Sequence, residues 1–337
     1  MLINIHTNNY TKHFLGVTGP LLLKKFINTN IFLKHDKISD DKWKDSFIID
    51  NYNDIIIKCS YDGYYDENNY LKTDHYSIKW NNKNIYNKIS IDYNKINLIK
   101  HIVWINLDRS IERKKNMEKI FLNINIPNTR ISGIDGKNED VKKYILPLKT
   151  SITNSEIACT LSHIKSISYL HNLDNTKYLN TQNNYYLVCE DDISLNNLIL
   201  FNNDLNDIIS NCPDFDILLI YKTYRNKLDN LYTDWNIEFK KNANNHIAGT
   251  CSYIVSSNGI KNIMNDFYYK DKKFIINRNM DVADKFIYKD FKTFVYKYNF
   301  ININEVTSTI HSDHLNWHNI CSKKQINYII NDNTLKS

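Results

Sequence analysis

The chain has 337 residues, 42% hydrophobic and 13% aromatic, enough apolar surface for one large domain with an appendage and too much for a disordered chain. Its 43 basic and 37 acidic residues leave a formal net charge of +6, a mild excess that favours anionic ligands, and no lysine/arginine stripe with interleaved aromatics argues for nucleic acid. Six cysteines without a Cys-x-x-Cys pair speak against a disulfide framework and suit buried thiols in a reducing compartment.

The N-terminus, Met1-Leu-Ile-Asn-Ile, lacks a basic start and a long apolar core, and no segment approaches 18 uninterrupted apolar residues. A soluble, cytoplasmic protein without a transmembrane segment is therefore expected. The bias toward Asn, Ile, Lys and Tyr fits an AT-rich genome, as in many large DNA viruses, parasites and some bacteria.

In chain order, Lys12 to Asn28 reads as a helix, and Phe47 to Ile49 and Ile55 to Cys59 read as short strands between Asn/Asp turns. The pattern changes near residue 95. His101 to Leu107 is a β-branched strand, and Ser110 to Phe121 an amphipathic helix. Thr129 to Ile134 is a second strand, and Ser155 to Leu170 a second helix with a possible capping box from Ser155. Tyr185 to Cys189 and Asp216 to Tyr221 are further strands. Strands alternating with helices predict an α/β domain on a mainly parallel sheet. The expected organisation is a small α+β module over 1–95, the α/β domain over 96–318 and a tail over 319–337.

The strand at Tyr185 runs into Glu190, Asp191 and Asp192. Acids at the carboxyl end of a strand in an open sheet can hold a divalent cation against a diphosphate; equally, Asp191 or Asp192 can cap a helix starting near Ile193. Asn106, Asp108, Arg109 and Arg113 sit where a nucleotide's ribose or phosphates are held, or on a solvated helix. His163, alone on its helix, is either a structural histidine or a catalyst. Asp281 and Asp284 are spaced one helical turn apart. His311-Ser-Asp313 has half the form of an iron triad, and His311, His314, His318 and Cys321 have helical spacing for zinc. The first lacks chain for its distant histidine and the second a cysteine pair.

Five ordered segments carry a resemblance: Ile105-Asn-Leu-Asp-Arg109 with Arg113, Ile131-Ser-Gly-Ile-Asp-Gly136, Ala158-Cys-Thr-Leu-Ser-His163, Leu187-Val-Cys-Glu-Asp-Asp192, and Gly249-Thr-Cys-Ser-Tyr-Ile-Val-Ser256 with Gly259. Together, over about residues 99 to 315, the chain resembles glycosyltransferase family 25, which includes lipooligosaccharide sugar transferases and collagen galactosyltransferases. The resemblance implies a GT-A-like nucleotide-sugar fold. It also implies inverting transfer of a hexose, usually galactose, from a UDP-sugar donor to a glycan or glycoprotein acceptor, assisted by Mn²⁺ or Mg²⁺.

By that resemblance Glu190 and Asp192 are the outer acids of the metal-binding pattern, with His311 as a late ligand. Asp284 is the base, with Asp281 beside it; Asn106, Asp108, Arg109, Arg113, Ser162, His163 and Asp191 face the donor; and Asp313 lies near the donor phosphates. Ser155 stands where glycine is common, Cys189 precedes the acids in place of an acid or small apolar residue, and no proline precedes the Asp284 segment. The segments Leu15-Gly-Val-Thr-Gly-Pro20 and Tyr61-Asp-Gly-Tyr-Tyr65, followed by Asp74-His-Tyr76 and Trp80, resemble the closing part of family 32 sugar transferases. That likeness implies a truncated module that docks an acceptor through His75 and Trp80, or merely packs. Two alternatives remain beside the sugar transferase: a non-catalytic glycan-binding scaffold, and a nucleotidyl transferase, against which the lack of a glycine-rich phosphate loop counts.

Overall fold

The computed structural model describes residues 32–39, 42–49, 55–60, 91–144, 152–178, 184–224, 226–241, 247–271, 273–304 and 314–332. It divides into two units, Met1–Ser90 and Ile91–Ser337. In the first, β1 (Phe32–Ser39), β2 (Lys42–Ile49) and β3 (Ile55–Ser60) form an antiparallel sheet. The helix expected at Lys12 to Asn28, the glycine-containing motifs, His75 and Trp80 lie outside the described residues. The division falls earlier than the change of pattern near residue 95, because Ile91, Tyr93, Ile96 and Leu98 all pack into the core of the second unit.

The second unit is built on a seven-stranded sheet. In chain order, β4 (Ile99–Asn106) leads into α1 (Ile111–Phe121), and β5 (Asn128–Ser132) precedes the long α2 (Asn154–Lys177). Then come β6 (Tyr185–Glu190), the two-residue β7 (Ile193–Ser194), α3 (Leu205–Ser210) and β8 (Ile217–Leu219). β9 (Tyr232–Asp234), α4 (Trp235–Lys241), β10 (Ser252–Ser256) and α5 (Ser257–Asp266) follow. A hairpin of β11 (Phe267–Lys270) and β12 (Lys273–Ile276), α6 (Ala283–Tyr288), β13 (Thr293–Tyr296), β14 (Asn302–Ile303) and α7 (His314–Asn331) complete it.

The strand order is β5-β4-β6-β10-β8-β13-β9. Five of the seven strands run the same way, and β10 and β9 run opposite to their neighbours. The sheet is thus mostly parallel, as the alternating pattern predicts, and the second unit is an α/β domain.

Side chains alternate across this sheet, which is buried on both faces. Tyr186 and Val188 of β6 enter the core under α2, α5 and α6, while Leu187 and Cys189 enter the core on the other side with Met117, Phe121 and Ile329. A strand covered on both faces needs a continuous apolar run, and Tyr-Tyr-Leu-Val-Cys supplies one. Gly259, in the first turn of α5, has the Asp216 backbone where a Cβ would go, so only glycine lets that helix close on the sheet.

Three expectations need correction. The capping box of α2 belongs to Thr153, not Ser155: Thr153 Oγ1 accepts from Glu156 N at 3.3 Å, and the Glu156 carboxylate accepts from Thr153 N at 2.7 Å. Asp281 is not on a helix with Asp284, because Val282 is the N-cap and the helix begins at Ala283. Residues 319–331 are no tail: α7 spans the expected boundary, buries Cys321, Gln325 and Ile329 along one face, and donates from Gln325 Nε2 to Tyr224 O at 2.9 Å. Among the described residues no helix is long and apolar enough to cross a membrane.

Candidate active site

The carboxyl ends of β4 and β6 lie side by side, with Ile105 opposite Glu190, so the polar residues ending each strand meet. Asp191 and Asp192 do not cap a helix; they form the turn into β7, which pairs with β14. That turn is held at both ends by backbone hydrogen bonds: Glu190 N donates to Cys251 O at 2.9 Å and Asn304 N to Asp192 O at 2.7 Å.

The three acids have different surroundings. Asp191 is buried, and both of its oxygens are engaged: Oδ2 accepts from Asn106 Nδ2 at 2.6 Å, and Oδ1 from Arg113 at 2.6 Å. It braces β6 to β4 and α1. Glu190 Oε1 accepts from Thr250 Oγ1 at 2.7 Å and lies 3.5 Å from His163 Nε2. Burial works to raise the Glu190 pKa, but His163, Thr250 and Arg113 outweigh it and hold the carboxyl below its usual range.

Asp192 behaves in the opposite way. Burial and the neighbouring Glu190 charge push it up to about 7, although Arg113 stands 3.5 Å from its Oδ2. Its Oδ1 is buried without a hydrogen-bond partner. One ligand atom each from Glu190, Asp192 and Cys251 lies within 4.8 Å of the others. Beside the Cys251 thiol, Glu190 and Asp192, the latter with one buried oxygen lacking a partner, are carboxylate donors that fit a hard divalent cation such as Mn²⁺ or Mg²⁺, whose charge would relieve the repulsion that raises Asp192.

Around the acids opens a cleft lined by Arg109, Arg113, Asp135, Ser162, His163 and Glu190, among others. Arg109 Nε donates to Asp135 at 2.6 Å and stays 40% exposed at the rim, able to reach an anion. Asn106 Oδ1 accepts from Arg130 Nε at 2.8 Å. Asp108 is exposed, accepts from Arg130 and from Ser132 Oγ at 2.9 Å, and is held below its usual range by those two bonds. Ser162 Oγ donates to Ala158 O at 2.7 Å and accepts from Ile134 N at 2.9 Å, tying α2 to the loop after β5.

Asp284 heads α6, its Oδ1 accepting from Lys285 N at 2.9 Å. It belongs to the same electrostatic neighbourhood as the acidic turn: burial raises the Cys159 thiol, and Glu190, Asp284 and Asp192 all add to the rise. Asp281 points its Oδ1 at Val282 N, 2.8 Å away, and its carbonyl accepts from Thr160 Oγ1 at 3.0 Å, which fastens this segment to α2. His311 and Asp313 lie outside the described residues.

Sequence reasoning passed over several residues that the structure brings against Glu190 and His163: Thr250 and Cys251 beside Glu190, Cys159 beside His163, and Tyr253, whose hydroxyl meets His163 Nδ1 at 3.1 Å. Thr250, Cys251 and Tyr253 follow Gly249, whose φ of +113° turns the chain into β10, so the glycine was their local signal.

The family model described as glycosyltransferase family 25 (LPS biosynthesis protein) matches residues 99–280. The match spans β4 through β12 and ends one residue before Asp281. No curated protein matches the chain.

Proposed function

This chain belongs to glycosyltransferase family 25, and from that premise we propose that it moves a hexose, galactose first among the candidates, from a UDP-sugar to a hydroxyl of a glycan or protein. A glycosyltransferase needs a sugar donor and an acceptor; to these we add inversion at the anomeric carbon and a divalent cation. The observation that carries it is the convergence of Glu190 and Asp192, together with a buried Asp192 oxygen that has no hydrogen-bond partner.

Glu190 and Asp192 would hold the ion, which when bound supplies charge neutralisation for the departing diphosphate. The remaining steps belong to the chain's own side chains. Arg109 at the rim takes a phosphate oxygen, while Asp108 accepts from the ribose hydroxyls. Arg113, bound to Asp191, keeps the acidic turn in register and sets a fixed positive charge behind the diphosphate. Ser162 holds the loop after β5 against α2 and so shapes the cleft.

Asp284 serves as the general base. Its carboxylate takes the acceptor hydroxyl's proton as that oxygen bonds to the anomeric carbon, and the bond from that carbon to the diphosphate oxygen breaks, its electron pair leaving with UDP. One displacement inverts the anomeric centre. The shared influence of Asp284, Glu190 and Asp192 on Cys159 supports putting base and acids in one site.

The test is turnover of a panel of UDP-hexoses with Mn²⁺ and glycan or peptide acceptors, followed by mass spectrometry, with Asp192→Asn and Asp284→Asn as controls. Transfer by the wild type, with a loss of at least about a hundredfold in both variants, is expected. Neither hydrolysis nor transfer from any UDP-hexose, or variants as active as the wild type, would sink the proposal.

A further inference from the structure

The acidic turn is not the only place in the cleft where ligating atoms converge. On α2, Cys159 and His163 are four residues apart, one turn of helix, so their side chains leave the same face. Both line the cleft, as does Glu190. The ligand atoms of Cys159, His163 and Glu190 all lie within 4.8 Å of one another.

The histidine is set for coordination. Its ring is fully buried, and Nδ1 shares a hydrogen bond with the Tyr253 hydroxyl at 3.1 Å. That bond aims Nε2 at Glu190 Oε1, 3.5 Å away, and Nε2 has no hydrogen-bond partner. A buried imidazole nitrogen facing a carboxylate without a hydrogen bond to it, with its other nitrogen anchored by a second group, suits a metal-bound histidine.

We propose that Cys159, His163 and Glu190 form a second cation position, selective for a thiophilic divalent transition ion such as Zn²⁺ and distinct from the carboxylate pair. One sulfur, one imidazole nitrogen and one carboxylate oxygen make three protein ligands, with a fourth position open to the cleft. Tetrahedral zinc holds its ligand atoms roughly 3.5 Å apart, so small rotamer changes close the set. Binding forms the sulfur–metal bond and releases the Cys159 thiol proton to solvent. Sulfur and nitrogen donors favour Zn²⁺ or Co²⁺ over Mn²⁺ and Mg²⁺.

Glu190 belongs to both groups of ligands. An ion bound to Cys159 and His163 therefore draws Glu190 away from Asp192. Zn²⁺ is then an antagonist of the hard ion, and the cleft senses which of the two is present.

The test uses the full chain and Co²⁺ alone, with no sugar nucleotide, so it does not depend on the donor reading. Co²⁺ should produce a thiolate-to-cobalt charge-transfer band in the near ultraviolet. The band should persist in Cys251→Ser, vanish in Cys159→Ser and weaken at least about tenfold in apparent affinity in His163→Gln. No band in the wild type, or one that survives Cys159→Ser and disappears in Cys251→Ser, overturns the proposal. The second pattern would put the ion at Glu190, Asp192 and Cys251 instead. A second measurement needs no variant: Zn²⁺ should slow iodoacetamide labelling of Cys159 at least about tenfold by peptide mapping, and unslowed labelling overturns the assignment.

Discussion

Arg113 reaches across 2.6 Å to Asp191 Oδ1 and so turns the middle acid of the trio inward, leaving Glu190 and Asp192 to converge on either side. The three consecutive acids are therefore a brace flanked by two convergent carboxylates and not a uniform cluster. The division is electrostatic: Asp191 has a cation and an amide for its charge, while Asp192 has a buried oxygen and a like-charged neighbour.

Asparagine at the two aspartates should have opposite effects on stability. Asp191→Asn takes the 2.6 Å ion pair from a largely buried Arg113 guanidinium and should cost about 3 kcal/mol. Asp192 has a folded pKa above its ordinary value, so the unfolded chain gives up this proton first as pH rises from about 4 to 7, and stability falls across that window. Asp192→Asn removes the penalty and should stabilise the protein by about 1 kcal/mol at pH 8 in the absence of divalent ions, while abolishing transfer. Urea unfolding of both variants at pH 8 checks the pair, and equal destabilisation by the two would contradict this division.

Thr250→Val tests how Glu190 is held. The hydroxyl donates to Oε1 at 2.7 Å, and a bond to a charged acceptor is worth about 1.5–3 kcal/mol. Loss of it should free the carboxylate to rotate and lower kcat/KM at least about tenfold with an unchanged fold. Thr250→Ser keeps the hydroxyl and should keep most of the activity. Steady-state kinetics on the two variants distinguishes hydrogen bonding from packing.

Much of the frame was legible along the chain. The runs at His101 to Leu107 and Tyr185 to Cys189 become central strands because apolar side chains on both faces leave no place for them but the middle of a sheet. The capping residue was misplaced by two positions because Ser155 and Thr153 both offer a hydroxyl, and only Thr153 has a glutamate three residues on. The split among the three acids could not be read locally, since it depends on Asn106 and Arg113, brought in from β4 and α1 respectively. The burial of α7 was hidden for a similar reason: Gln325 looks like a surface residue until Tyr224 O, about a hundred residues earlier in the chain, receives its amide.

Gly249→Ala addresses the turn that delivers Thr250. Its φ of +113° is a region side chains rarely occupy, and a Cβ there would meet Tyr221 at 3.1 Å and Thr223 Oγ1 at 3.2 Å. The carbonyl of the same residue accepts from the Tyr288 hydroxyl at 2.8 Å, which joins the turn to α6. Backbone strain of this kind costs about 1–3 kcal/mol, so the variant should unfold at lower urea by about 2 kcal/mol and lose activity through displaced Thr250. A variant as stable as the wild type would mean that the turn relaxes without resistance.

His101 should weaken the second unit in acid. Burial, helped by the Lys177 charge, pushes its pKa down to about 4; Nε2 meets Thr129 Oγ1 at 2.9 Å, and Nδ1 is buried with no hydrogen-bond partner. The folded protein therefore keeps the ring neutral where the unfolded chain, near its ordinary 6.5, already binds a proton. More protons on the unfolded side means that stability falls as pH drops from about 6.5 to 4, by roughly 3 kcal/mol in all. His101→Gln retains a polar group for Thr129 without a titrating ring, so its unfolding free energy should flatten across that window while other carboxylates keep their own slopes. Urea titrations at half-unit steps of pH from 4 to 7 measure the difference, and parallel curves for the two proteins would show that protonation of His101 is not what weakens the fold in acid.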